Sequence, residues 1–228
     1  MNASDAESPV RIKDQVASLK RERTIEAAAE LFYERGYENT TLDAVAERLG
    51  VTKPFIYAHF SSKTELLAEI CSRGIASSLK AINSVLDLTA SPTEKLSLLG
   101  KRFLTVVLEN QKHIAIFSRE EKNLGGKDFQ RISNMRRDFD AKLRSLLRDG
   151  VAAGEFEIND ERVAALAIGG MVSWAYVWYR SNGRLSLPDL ADQMSDLILS
   201  LVKASPRRSG GSSPPARKAQ SKGSSRLK

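Results

Sequence analysis

Cysteine is almost absent from this chain. Cys71 stands alone among 228 residues, so no internal disulfide framework is possible and a reducing compartment is the natural expectation. Histidine is scarce as well, with only His59 and His113, so the usual general bases, nucleophiles and metal ligands are few. The chain lacks a GxxxxGK[ST] phosphate loop, a GxGxxG after a strand, an HExxH and a paired CxxC. Glu120 and Glu121 are adjacent carboxylates that point to different sides of a helix. These shortages weigh against an enzyme, a metal centre or a bound cofactor, although a site assembled from distant segments is not legible in one sequence. No apolar run approaches the roughly 20 residues of a membrane span. The opening "MNASDAESPVRIKD" carries acids and no apolar centre, unlike a secretory signal. A cytoplasmic protein without a membrane partner is expected.

Charge of one sign is in excess, but locally. The formal net charge is +7. Residues 204–228, "ASPRRSGGSSPPARKAQSKGSSRLK", hold seven Lys or Arg and no acid. The preceding residues are therefore neutral overall, and bulk charge does not identify a nucleic-acid partner. The Ser/Gly/Pro-rich composition predicts a disordered basic tail, either merely solubilising or weakly attracted to phosphate.

Alternation with a period of two is missing too, while apolar residues recur at three and four along most of the chain. The expected fold is all-α, with about nine helices. Ile25, Ala28, Ala29 and Phe32 make one stripe, ended by Gly36. "TTLD" opens a second helix with Thr40 and Asp43 as a capping box, running to Gly50. A short aromatic helix follows, then one capped by Ser62 with Glu65 and reaching about Asp87. "SPTE" starts a helix with Ser91, Pro92 and Glu94 in the capping positions, ending near Asn110. Further helices are expected at Lys112–Leu124, about Phe129 to Ala153, Glu161–Arg180, and from Ser186 to about Lys203.

The segment "GVTKPFIYAHFSSKTEL" gathers four ring-bearing residues in a chain that is only 7% Phe, Trp and Tyr. A helix of about eight residues, a three-residue turn and a short helix have helix-turn-helix dimensions. Ile56 and Phe60 lie at i, i+4 and should anchor the short helix, with Thr52 as its cap and Pro54 in its first turn. The outward side then carries Lys53, Pro54, Phe55, Tyr57, Ala58 and His59. Phe55 and Ala58 suit thymine methyls, Lys53 and His59 suit base-edge or phosphate acceptors, and Tyr57 suits a phosphate. Thr40, Thr41 and Lys63 fall at helix N-termini, where amides favour an anion. Upstream, Arg11, Lys13, Lys20, Arg21 and Arg23 form a basic arm suited to the DNA backbone or minor groove.

"TIEAAAELFYERGYENTTLDAVAERLGVTKPFIYAHFSSKTELL" resembles the DNA-binding domain of TetR-family transcriptional regulators, with Val45 where isoleucine is common. The resemblance implies a three-helix DNA reader joined to a helical ligand-binding domain, acting as a homodimer on a palindromic double-stranded operator. At matching positions Pro54, Phe55, Tyr57, His59 and Lys63 take DNA-contact roles. Many members carry Gly or Thr in place of Pro54 and Phe55. The implied domains are a flexible arm at 1–17, a helix-turn-helix domain at 18–66, a ligand-binding and dimerisation domain at 67–203, and the tail at 204–228.

In the larger domain "ALAIGGMVSWAYVWYR" is apolar nearly all round. With "LADQMSDLILSLV" it suits either a monomer core or an intersubunit four-helix bundle, Gly169 and Gly170 admitting a close backbone. Phe103, Val107, Phe117, Phe139, Leu143 and Met171 are candidate pocket residues. Trp174 and Trp178, on one helix face, suit a pocket or an interface. Arg119, Lys122, Arg131, Arg136, Arg137, Arg180 and Arg184 would make a basic mouth for an amphiphile with a phosphate-bearing head. "IFSREEKNL", "LRSLLRDGVAAGEF" and "W...WYRSNGRLS..DLAD" resemble the TetR subgroup that senses acyl-CoA thioesters, which implies an acyl-CoA inducer. A regulator of efflux or stress genes answering to an apolar or cationic drug is the alternative. A sequence-independent DNA-binding structural protein would not explain so large an apolar second domain.

Overall fold

The computed structural model describes residues 9–203, and the basic tail at 204–228 and residues 1–8 lie outside them. Every element described is helical. α1 spans Pro9–Arg35, α2 Leu42–Leu49, α3 Lys53–Tyr57 and α4 Lys63–Leu86. α5 spans Pro92–Glu109, and α6 Gln111–Glu120 passes into a 3-10 turn at Glu121–Asn123. α7 covers Gly126–Ala152, α8 Glu161–Ser173, α9 Ala175–Trp178 and α10 Leu187–Lys203. The nine expected helices are all found, and the eighth is broken at Trp174 into α8 and α9. α1 begins at Pro9, so the part of the expected flexible arm from residue 9 to 17 is helical.

Local chemistry sets the ends. The Ser91 hydroxyl accepts from the Glu94 amide at 3.2 Å while Glu94 Oε2 accepts from the Ser91 amide at 2.8 Å, a reciprocal box as expected. Two caps differ from expectation. Thr41, not Thr40, caps α2, its hydroxyl accepting from the Ala44 amide at 3.1 Å. Ser62 caps α4, but the Glu65 carboxylate accepts from the amide and hydroxyl of Ser61, at 2.8 and 2.6 Å.

Two cores form. The lower one joins Ile25, Phe32, Val45, Ile56, Phe60, Leu66 and Leu67, with Ile116 of α6 and Ile132 of α7 inserted from the larger domain. The upper one joins α4, α5, α7, α8 and α10 through residues such as Ile82, Leu104, Leu147, Val172 and Ile198. α4 runs unbroken through the expected boundary at 66/67, giving Leu67 and Ile70 to the lower core and Ile82 and Val85 to the upper. The two bodies thus share a helix and are not joined by a loop.

Candidate nucleic-acid interface

Gly50 makes the turn possible. Its φ of 65° is left-handed, a conformation glycine adopts without the Cβ penalty of other residues. The Gly50 amide donates to Glu47 and the Val51 amide to Ala46, each at 3.0 Å, the paired bonds of a Schellman C-cap. α3 follows after two residues, with Thr52 as a cap lacking a side-chain bond and Pro54 in its first turn. Ile56 is 0% and Phe60 1% exposed, so the short helix is held from behind by apolar burial.

Outside, Tyr57 is 48% exposed, and Thr41, Thr52, Lys53, Pro54 and Ala58 are exposed beside it. Lys53 Nζ lies 2.9 Å from Asp43 Oδ1, a contact that holds its pKa above the ordinary lysine value. Phe55 is half-buried: its ring meets His59 edge-on at 5.5 Å and lies 5.6 Å from Lys20 Nζ of α1. The presented edge is therefore Tyr57 and Ala58, with Phe55 and His59 partly turned against the fold.

Two expected contacts are committed internally. Thr40 is 1% exposed, and its hydroxyl donates to the carbonyls of Gly36 at 2.9 Å and Leu31 at 3.3 Å. It ties the α1–α2 turn and offers no surface for DNA. Lys63 donates to the Tyr37 carbonyl at 2.9 Å and lies 4.2 Å from the centre of the Tyr37 ring, so it braces α4 against that same turn.

The reading domain is coupled to the larger one through side chains. Arg21 of α1 and Arg131 of α7 both approach Glu69 of α4, at 3.3 and 3.8 Å. Arg21 also lies 4.7 Å from the centre of the Phe60 ring. Glu120 of α6 accepts from the Tyr37 amide at 3.4 Å. Ion pairs this exposed contribute little stability; their consequence is to relate the position of α6 and α7 to that of the turn.

The expected ligand residues separate into three groups. Phe103, Val107, Phe139 and Leu143 are buried in the upper core, with the rings of Phe103 and Phe139 4.7 Å apart, while Met171 packs against it. Phe117 lies under Arg136 at 5.3 Å, and Arg119 lies 5.1 Å from the centre of the Tyr33 ring. Trp174 and Trp178 are 60% and 48% exposed, on an outer face and not around an enclosed space. A groove of about 480 Å³ is instead lined by Tyr33, Gln111, Tyr176, Tyr179, Arg180 and neighbouring residues, of which only Arg180 was expected near an effector, as part of its basic mouth. Arg180, one of the cations expected at a pocket mouth, was the signal in the sequence that pointed there, and the tyrosines were missed. Cys71 is buried, and burial pushes its thiol pKa up to about 12. Among the described residues no three His, Cys, Asp or Glu side chains converge on a metal-holding arrangement, and no helix is long and apolar enough to cross a membrane.

A capped helix, a glycine turn and a short anchored helix, continued into an α-helical second body, define a two-domain helix-turn-helix regulator. The chain belongs to the tetR family of bacterial regulatory proteins, whose signature matches residues 25–70, with the tetracyclin repressor-like C-terminal domain matching 89–202. It is 27% identical over 192 residues to the HTH-type transcriptional repressor KstR2 of Mycobacterium tuberculosis, covering 83% of this chain and 95% of that one. The TetR-family regulator PfmR of Thermus thermophilus superposes with a TM-score of 0.72 at 31% identity, covering 78% of this chain and 97% of PfmR. AibR, solved in complex with isovaleryl coenzyme A and operator DNA, superposes with a TM-score of 0.68 at 26% identity, covering 80% and 97%.

Proposed function

We propose that the chain is a homodimeric transcriptional repressor that occupies a two-fold-symmetric operator and leaves it on taking up an acyl-CoA thioester. The observation that carries DNA reading is the split character of α3: Ile56 and Phe60 are buried beneath it while Tyr57 and Ala58 stand outward. A stiff helix with a rigid aromatic edge suits a major groove, and Thr41 and Lys53 beside it suit phosphates. It acts by binding and not by turnover, in the compartment that holds the DNA.

Dimerisation is supported by apolar surface on the last long helices. Val163, Leu166 and Trp174 are 61%, 60% and 60% exposed, and Leu197 of α10 is 57% exposed. Leu190, Met194 and Ile198 of the same α10 are buried in their own protomer, so α10 has one face for its own core and another for a partner. Gly169 and Gly170 have open space where a Cβ would point, leaving room for a second helix to approach closely. A symmetric pair sets two α3 helices into successive major grooves about 34–36 Å apart.

Release follows if the effector binds one arrangement of the two bodies better than the other. Ile116 and Ile132, rooted in the lower core from α6 and α7, carry a shift in the larger domain to the reading domain. The acyl-CoA assignment rests on the kinship with AibR and on the cations of α6, α7 and the 180–184 segment. The test is selection of a preferred duplex from random DNA by the full chain, followed by anisotropy titration with acyl-CoAs, free acids and cationic drugs. Sequence-selective binding reversed by CoA thioesters alone is expected. Equal affinity for all duplexes would overturn the repressor reading, and release only by drugs would overturn the effector class.

A further inference from the structure

The groove between the two bodies is suited to one part of such an effector. Its volume of about 480 Å³ falls within the roughly 300–1,000 Å³ of small-molecule sites. One wall is Tyr33, in the last turn of α1, and the other is Tyr176 and Tyr179, in and just after α9. The second wall is preformed: Gln111 Nε2 donates to the carbonyls of Tyr176 at 2.7 Å and Tyr179 at 3.4 Å, tying α9 to the start of α6. The rim carries Arg180. Its Nη1 donates to the Val177 and Tyr179 carbonyls at 3.0 and 2.9 Å, which fixes the guanidinium while its other nitrogens make no hydrogen bond among the described residues. Arg119 stands behind Tyr33, 5.1 Å from its ring centre, and donates to the Tyr33 carbonyl at 3.4 Å.

Aromatic walls with an oriented guanidinium at the rim and a second cation behind one of them suit a planar ring joined to a negatively charged group. Tyrosine faces stack on a base, and a fixed guanidinium fork matches phosphate oxygens. We propose that this groove binds a nucleoside phosphate, namely the adenine nucleotide head of the effector. The proposal rests on the acyl-CoA reading for the source of that head; a free nucleotide carries the same chemistry. Tyr33 lies on α1, the helix that gives Ile25 and Phe32 to the lower core, so an occupant of the groove touches the reading domain directly. Head and acyl chain then have separate duties: the head bears on α1 while the chain seeks the apolar interior.

The experiment is isothermal titration of the full chain with free CoA, an acyl-CoA and ATP, repeated on Tyr33→Ala, Arg180→Ala and the control Lys80→Ala, an exposed cation of α4 outside the groove. Thermal unfolding of each variant shows that it is folded, and the two groove variants lie on different elements. Expected is binding of CoA and acyl-CoA, weakened roughly tenfold or more in both groove variants and unchanged in Lys80→Ala. Acyl-CoA binding unaltered by either groove variant overturns the groove and leaves the effector reading standing. ATP bound as tightly as CoA, and lost in the same two variants, keeps the groove and removes the thioester reading. No binding of any probe to the unaltered chain overturns both.

Discussion

His113 Nε2 on α6 lies 3.6 Å from Glu26 Oε1 on α1, across the contact that joins the larger domain to the reading domain. The imidazole is buried and neither ring nitrogen has a hydrogen-bond partner. Burial holds its pKa below the ordinary 6.5; Glu26 and Glu22 pull it upward, while Arg73 of α4 and Lys112 of α6 push it down. The folded protein thus resists a proton that the unfolded chain accepts. The stability contributed by neutral His113 is complete above 6.5 and is lost as the pH falls from there through the lower folded value. Melting temperature should drop between pH 7.5 and 5.5, and His113→Gln should flatten that dependence. Equal slopes in the two proteins would rule His113 out as the cause.

Tyr57→Ala should weaken operator binding roughly tenfold or more, the scale of one lost specific contact per half-site, with an unchanged melting temperature because Tyr57 is 48% exposed. Ile56→Ala, at a site with 0% exposure, should lose DNA binding together with about 2–5 kcal/mol of stability. Anisotropy and thermal unfolding on both variants separate a reading role from an anchoring one.

Gly150→Ala should destabilise the larger domain by about 1–3 kcal/mol or more. A Cβ at Gly150 would sit 2.0 Å from Phe156 Cδ2, and Phe156 is itself 5% exposed, so the ring has little room to withdraw. Chemical denaturation reads the loss, and Phe156→Leu in the same chain should recover part of it.

Leu166→Glu combined with Leu197→Glu places two carboxylates on surface that is 60% and 57% exposed in the single protomer. Sedimentation should show a folded monomer, and operator affinity should fall because two half-sites are no longer read together. A dimer that persists would move the interface elsewhere.

Legibility was greatest where short-range chemistry decides. The Ser91–Glu94 box, the end of α2 at Gly50 and the i, i+4 pair Ile56 and Phe60 are readable within a few residues, and all three stand as expected. It was lower where neighbours compete, as at Thr40 and Thr41: both hydroxyls are cap-competent, and only the path of the turn sends Thr40 to the Leu31 and Gly36 carbonyls. It was lowest for the groove between α1, α6 and α9. Tyr33 and Tyr176 are 143 residues apart, and no periodicity relates residues on different helices across such a distance.

By itself, the sequence determined the helices, most of their caps, the turn before α3 and the family to which the chain belongs, because these depend on contacts within one or two helical turns. Tertiary structure alone decided that Thr40 faces inward and that Lys63 is held by the Tyr37 carbonyl, that Phe103 and Phe139 pack on each other, and that α1, α6 and α9 line a groove. Those outcomes follow from how helices pack around two cores joined by α4, a balance of burial and steric fit among residues far apart in the chain.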